Sequence, residues 1–219
     1  MTTNERTDWD GVTTADVYAD DTVRKRGRLA DAARDGRWEQ VLELLAEDPE
    51  RVNSTRIGGA SGYSPLHQAA WHGAGPEVTG RLVDLGAWRT LPTGSGERAV
   101  DIALSRGHTD LVPLLTPVVR HPLPPAVQGG LERRLHALIA ADSRGLAERH
   151  RLRMPPLGPL TELTRPRMYF PVPGMYGGFS WELDGAALVV ESWSRVAGGS
   201  GRRHRVTPEA TELIAEGFV

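Results

Sequence analysis

The chain has 219 residues, 39% hydrophobic and 25% charged, which is typical of one or two domains with buried cores. It contains no cysteine, which excludes disulfides, thiolate metal sites and a thiol nucleophile and fits a reducing compartment. The net charge is −2, and residues 1–116 alone hold 13 basic and 18 acidic residues, so nucleic acid is not the expected partner. With no long apolar run and no secretory signal, we expect a cytoplasmic protein that does not enter a membrane.

Residues 1–22 are polar and rich in aspartate, and a partly ordered leader is predicted there. A helical pattern then recurs over residues 23–116. Three similar segments begin at Leu29, Leu66 and Val100, at offsets of 37 and 34 residues. They end at Gly36, Gly73 and Gly107, where each first helix is expected to stop in a left-handed residue. A second apolar helix is predicted after each glycine.

The second of these segments carries the clearest motif. Ser64-Pro65-Leu66-His67 is followed by Ala69-Ala70 and Gly73, with Gly86-Ala87 closing the next helix. Ser64 is a plausible N-cap, and Pro65 suits a first helical position because its missing N–H has no helical partner there. The pattern resembles the ankyrin repeat, a helix-turn-helix unit with Thr-Pro-Leu-His at the start of its first helix. The third segment departs from the motif by having Arg98-Ala99-Val100-Asp101 in that place, and the first keeps only the apolar skeleton of a cap.

The resemblance implies a stack of about three repeats that binds another protein and needs no cofactor. It also implies a structural role for His67, which bonds a neighbouring loop in the family. Leu66, Ala69 and Ala70 would point into the stack, while Trp71 would be exposed on the variable inner surface. Tryptophan is enriched at interface hot spots, so Trp71 is the expected anchor of a partner. The full set of predicted partner-binding residues is Arg34, Asp35, Tyr63, Trp71, His72, Glu97, Ser105 and Arg106.

The second half of the chain has a different character. Residues 117–128 contain four prolines and are predicted as a linker. A helix is expected from Gly130 to about Arg153, and residues 168–172 form a short apolar strand. A hairpin turning at Asp184-Gly185, a third strand near 203–206 and a last helix opening at Thr207-Pro208 complete the pattern. The predicted fold class is therefore α+β: an all-α, ankyrin-like stack at residues 23–116, then a small domain at residues 129–219 with a helix and a small antiparallel sheet.

An alternative function concerns this C-terminal domain. Its closing segments, from the stretch Tyr169–Phe179 onward, resemble the tail attached to ankyrin repeats in uncharacterised actinobacterial proteins, which carries no known activity. Aromatic residues and a glycine-arginine run are concentrated here, so a small-ligand receptor or an enzyme remains an alternative to a purely protein-binding module. The residues proposed for such a pocket are Tyr176, Trp181, Arg202 and Arg203.

Metal binding and catalysis are not expected. His67 and His72 are five residues apart rather than the four that place two ligands on one helix face. Ser180, Ser192 and Ser194 lack the sequence context of an activated nucleophile. We therefore predict neither a metal site nor a catalytic residue.

Overall fold

A computed structural model of the chain describes residues 7–195 and 200–217. Eight α-helices and six β-strands lie in these residues, so the protein is α+β. The described residues divide into two compact units. The helical unit is Thr13–Val118, and the sheet unit combines residues 7–12 with the described residues after Val118.

The helical unit contains six helices in three pairs. Their bounds are α1 Asp20–Arg34, α2 Trp38–Glu47, α3 Pro65–His72, α4 Gly75–Asp84, α5 Ala99–Arg106 and α6 Val112–Leu115. The first helices of the pairs pack in the order α1, α3, α5, and the second helices pack in the order α2, α4, α6. A 3₁₀ turn, Thr109–Leu111, precedes the short α6.

Small and aliphatic side chains fill the core of this unit. Ala32, Ala69 and Ala103, one from each first helix, are fully buried. Alanine at these positions allows neighbouring helices to approach closely, and the remaining space is filled by leucine and isoleucine side chains to the density of a protein interior. The principal aliphatic contributors are Leu29, Leu45, Leu66, Leu82, Ile102, Leu111 and Leu115.

The ends of the first helices follow the prediction at α3 and α5, whereas α1 ends at Arg34 and Gly36, at φ 70°, comes one residue later, after Asp35. Gly73 has φ 63° and Gly107 has φ 80°, and each immediately follows its helix, so both occupy the left-handed region that favours glycine. Pro65 is the first residue of α3, as expected. The ring Nδ1 of His67 accepts hydrogen bonds from the backbone N–H of Ser64, at 3.1 Å, and from its hydroxyl, at 2.8 Å.

The sheet unit combines α-helices with a six-stranded sheet. Its helices are α7 Pro125–Asp142 and α8 Leu146–Arg149. Its strands are β1 Thr7–Asp8, β2 Arg167–Val172, β3 Gly177–Asp184, β4 Ala187–Ser194, β5 Ser200–Val206 and β6 Thr211–Gly217, in that spatial order. Helix α7 packs on β4 and β5. The predicted hairpin is confirmed, since Asp184 pairs with Ala187 around Gly185.

The sheet is mixed, which corrects the prediction of a purely antiparallel one. β1 lies parallel to β2, whereas the other strands pair antiparallel. β1 comes from the segment predicted as a leader. Trp9, which follows it, is only 3% exposed and donates its indole N–H to the carbonyl of Arg153 at 2.8 Å. Burial of this tryptophan stabilises residues 7–12 within the sheet unit, and residues 1–6 of the predicted leader lie outside the described residues.

Two predicted helices also need correction. The last one is wrong, because Thr207–Ala210 forms a turn that leads into β6. Within this turn the N–H of Thr207 bonds to the carbonyl of Ala210, and the Thr207 hydroxyl accepts the N–H of Ala210. Thr-Pro suits a turn as well as a helix start. The predicted long helix is two helices. The first, α7, begins at Pro125, inside the predicted linker, and ends at Asp142, and α8 follows after a short break.

Candidate functional site

Trp71 lies in the last turn of α3 with its side chain 41% exposed. By contrast, Leu66, Ala69 and Ala70 earlier in the same helix are buried, each at most 1% exposed. The predicted orientation of α3 is therefore confirmed. Trp71 and the seven residues predicted with it are called the Trp71 surface below.

Two neighbours hold the indole of Trp71. The guanidinium carbon of Arg106, at the end of α5, lies 3.9 Å from the centroid of the indole ring, a close cation–π contact. Tyr63, in the segment before α3, meets the indole edge-on at 6.3 Å between ring centroids. Three separate stretches of sequence therefore converge on one exposed aromatic side chain.

The surface continues from α3 to the end of α1. The Nε2–H of His72 donates to the carbonyl oxygen of Arg34 at 2.8 Å, and the His72 ring packs edge-on against Trp38. The guanidinium of Arg34 bonds to the carboxylate of Asp35 and lies 3.2 Å from that of Asp31. These contacts fix Arg34, Asp35 and His72 relative to one another.

Glu97 and Ser105 complete the predicted set on the side of α5. Glu97 accepts a hydrogen bond from the Ser95 hydroxyl at 2.9 Å, whereas the Ser105 hydroxyl donates to the carbonyl of Ile102 within its own helix. Ser105 thus uses its donor internally. Burial, and next the negative charge of Glu97, raise the pKa of Tyr63, while Arg106 opposes them.

The buried residue His67 contacts both Ser64, at the start of α3, and Tyr63 of the Trp71 surface. The imidazole is fully buried, and because its Nδ1 accepts the backbone N–H of Ser64, its Nε2 carries the proton and donates to Leu91 O at 2.9 Å. The same ring lies 5.7 Å from Tyr63 between centroids. His67 therefore ties the start of α3 to the loop before α5, as the family resemblance led us to expect.

A groove beside Tyr63 was not expected from the sequence. It has a volume of about 90 Å³ and includes Gln68, Ser61 and Arg56 in its lining, with Ala30 and Ala33 contributed by α1. Gln68 is three residues before Trp71, and residues at this spacing lie on one helix face. That spacing was the signal in the sequence that could have placed Gln68 on the Trp71 surface.

The four residues of the alternative ligand pocket do not come together. Tyr176 is 76% exposed in the turn between β2 and β3, whereas Trp181 is 1% exposed in the core. Arg202 and Arg203 are consecutive in β5 and so point to opposite faces of the sheet. Arg202 pairs with Asp142 and Glu216, and Arg203 pairs with Glu191. The four residues are thus dispersed, and the two arginines already form ion pairs with carboxylates.

A different cavity, of about 370 Å³, lies beside α8. Its lining residues are Ala140, Gly145, Ala147, Glu148, Arg151, Leu152 and Met154. Within the described residues no group of three histidine, aspartate or glutamate side chains is arranged to hold a metal ion. In the same part of the chain, none of the helices combines the length and apolar character that crossing a membrane requires.

No protein-family model matches the sequence, and no curated protein matches it either. Among solved structures, the chain is similar to one in the complex of a predatory endopeptidase from Bdellovibrio bacteriovorus with an immunity protein, at 22% identity and a TM-score of 0.34. The match covers 40% of this chain and 43% of that chain. The present chain therefore spans less than half of the solved chain that it matches, and a similarity this weak indicates nothing about function.

Proposed function

We propose that residues 13–118 are a short ankyrin-type stack that binds another protein through the Trp71 surface, without catalysis of its own. The observation that carries this proposal is the exposure of Trp71, 41%, in a helix whose residues Leu66, Ala69 and Ala70 are at most 1% exposed. A large aromatic side chain at that place contributes little to the core, and tryptophan is a preferred anchor of protein interfaces.

The contacts within the Trp71 surface support the proposal. Arg106 and Tyr63 hold the indole of Trp71, and the His72–Arg34 hydrogen bond links α3 to α1. A side chain that is already positioned loses less conformational entropy when a partner binds. The charged residues that surround Trp71 provide the polar rim that interfaces have around an apolar centre.

The chemistry of the surface favours recognition over catalysis. His72 donates to a backbone carbonyl, and Ser105 donates to the carbonyl of Ile102. Neither makes the hydrogen bond between a nucleophile and a base that covalent catalysis requires. The acidic balance of residues 1–116 supports a protein rather than a nucleic acid as the partner, and the absence of cysteine supports a cytoplasmic location.

Affinity capture with the full chain tests this function. The wild type, Trp71→Ala and Tyr176→Ala are each immobilised and exposed to extract of the native host, and captured proteins are quantified. Tyr176 is the matched control, because it is an exposed aromatic residue in the other unit. We expect a partner that is lost with Trp71→Ala and kept with Tyr176→Ala.

Two results would contradict the proposal. If no captured protein depends on Trp71, the surface is not a binding site. If a partner or ligand is lost only with Tyr176→Ala, recognition belongs to the sheet unit and the alternative function gains support.

A further inference from the structure

The contact between Arg106 and Trp71 limits the chemistry of any partner that binds this surface. Arg106 lies over the indole ring, so any partner that covers this face of Trp71 also removes the guanidinium from water. Within residues 7–195 and 200–217, Arg106 makes no hydrogen bond and no ion pair. By contrast, Arg34 on the same surface is paired with Asp31 and Asp35.

Burying an unpaired charge is costly, because the protein interior solvates it far less well than water does. A partner that buries Trp71 must therefore supply an acceptor for Arg106. Guanidinium presents five N–H donors in a planar fork whose geometry matches a carboxylate. Contact with the indole also restricts the side chain, which lowers the entropy that is lost when the ion pair forms.

From this geometry we infer that the partner presents an acidic side chain, aspartate or glutamate, to Arg106 beside the group that packs on Trp71. The inference rests on the proposed function, since it names the chemistry of the partner at the same surface. Phosphate is the competing anion. A polyanion such as nucleic acid is disfavoured, however, because residues 1–116 hold more acidic residues, 18, than basic ones, 13.

The probe for the test is a random-peptide display library, selected on the full chain. Selections run in parallel on the wild type, Arg106→Gln and Arg81→Gln. Arg81 is the matched control because it is an exposed arginine in α4, outside the Trp71 surface. We expect peptides selected on the wild type and on Arg81→Gln to share an acidic position that is absent from those selected on Arg106→Gln.

A double-mutant cycle then joins the acidic position to Arg106. The best peptide and its version with asparagine or glutamine at that position are titrated against each protein. Each change alone, Arg106→Gln in the protein or the amide in the peptide, removes a charge-assisted hydrogen bond and should weaken binding about tenfold. Combining both changes should weaken binding little further. Arg106→Lys keeps the charge without the planar fork and should bind with intermediate affinity.

The outcomes separate the inference from the function it rests on. Peptides that require Trp71 but share no acidic position, or independent effects in the cycle, would overturn the inference and leave the proposed function standing. Tighter binding of a labelled single-stranded oligonucleotide than of any peptide, with the same dependence on Arg106, would replace the carboxylate by phosphate. Absence of any peptide that depends on Trp71 would refute the proposed function itself. Circular dichroism of each variant shows whether it is folded.

Discussion

At the scale of single residues, Trp71 and Trp9 present the same side chain in opposite surroundings. Trp71 is 41% exposed and contacts Arg106 and Tyr63 at the surface, whereas Trp9 is 3% exposed and donates its indole N–H to Arg153 O. We therefore expect Trp71 to affect mainly the binding of a partner and Trp9 to affect mainly stability.

We predict that Trp71→Ala changes the free energy of unfolding by only about 0.5 kcal/mol, because the Trp71 side chain lies away from the core. The same change should weaken binding of a captured partner by about 2 kcal/mol or more, if Trp71 is a hot spot. Urea titration and binding titration of the same preparation measure the two effects. A large loss of stability with unchanged binding would make Trp71 a packing residue.

The glycines at the ends of α3 and α5 allow strain to be separated from clash. Both have positive φ, but a Cβ at Gly73 would lie 2.6 Å from the His108 ring, whereas one at Gly107 meets nothing within 4 Å. Gly107→Ala should therefore cost about 1 kcal/mol through backbone strain alone. Gly73→Ala should cost about 1–3 kcal/mol more, because His108 must move. Equal losses in urea titrations of the two variants would contradict the clash.

At the scale of elements, β5 carries a buried titratable group. His204 is 7% exposed, and its Nδ1 has no hydrogen-bond partner among the described residues. Burial lowers the pKa of His204 from its ordinary value of 6.5. Asp142 and Glu216 oppose this shift through their negative charges, and Arg202 reinforces it. The neutral ring therefore fits the folded sheet better than the imidazolium does.

The pH dependence follows from that direction. Since the folded pKa lies below the unfolded one, the unfolded chain binds the proton more readily, and stability falls as pH falls through and below about 6.5. We predict that His204→Leu, which removes the titration, loses less stability than the wild type between about pH 7.5 and about pH 5. Urea titrations at each pH measure this, and parallel slopes for the two proteins would contradict it.

Elements also show how far local sequence could predict the structure. The glycine-ended helices and the Asp184-Gly185 hairpin were predictable, because positive φ and apolar periodicity are local properties. The final helix was mispredicted, since Thr207-Pro208 fits either a helix start or a turn. Pairing with β5 makes Thr211–Gly217 a strand, and that pairing depends on residues outside the segment.

At the scale of the whole molecule, the sheet unit uses both ends of the chain. β1 and Trp9 come from residues 7–12, while the strand beside β1 begins at Arg167. The N–H of Trp9 donates to the carbonyl of Tyr169 at 2.7 Å. Residues 7–12 thus contribute to a unit made largely from the described residues after Val118.

We predict that Trp9→Ala destabilises the sheet unit by about 3 kcal/mol, the loss typical of a buried aromatic side chain. Hydrogen exchange should quicken at β2 amides and remain unchanged in α3, because the two elements belong to different units. Trp71→Ala is the matched control and should leave the hydrogen-exchange rates of the β2 amides unchanged. Unchanged exchange at β2 in Trp9→Ala would show that residues 7–12 do not stabilise the sheet.

The sequence by itself determined the paired helices, their glycine ends and the α+β class, because periodicity and turn residues are local properties. The exposure of Trp71 was expected only from the family resemblance, which assigns that position to a surface. The tertiary structure decided that Arg106 lies on Trp71, that Trp181 is buried and that the leader supplies β1. Such contacts join residues far apart in sequence, and no local pattern determines which distant side chain will occupy the neighbouring space. The candidate site was therefore predictable as a set of positions, whereas its central cation–π contact was not.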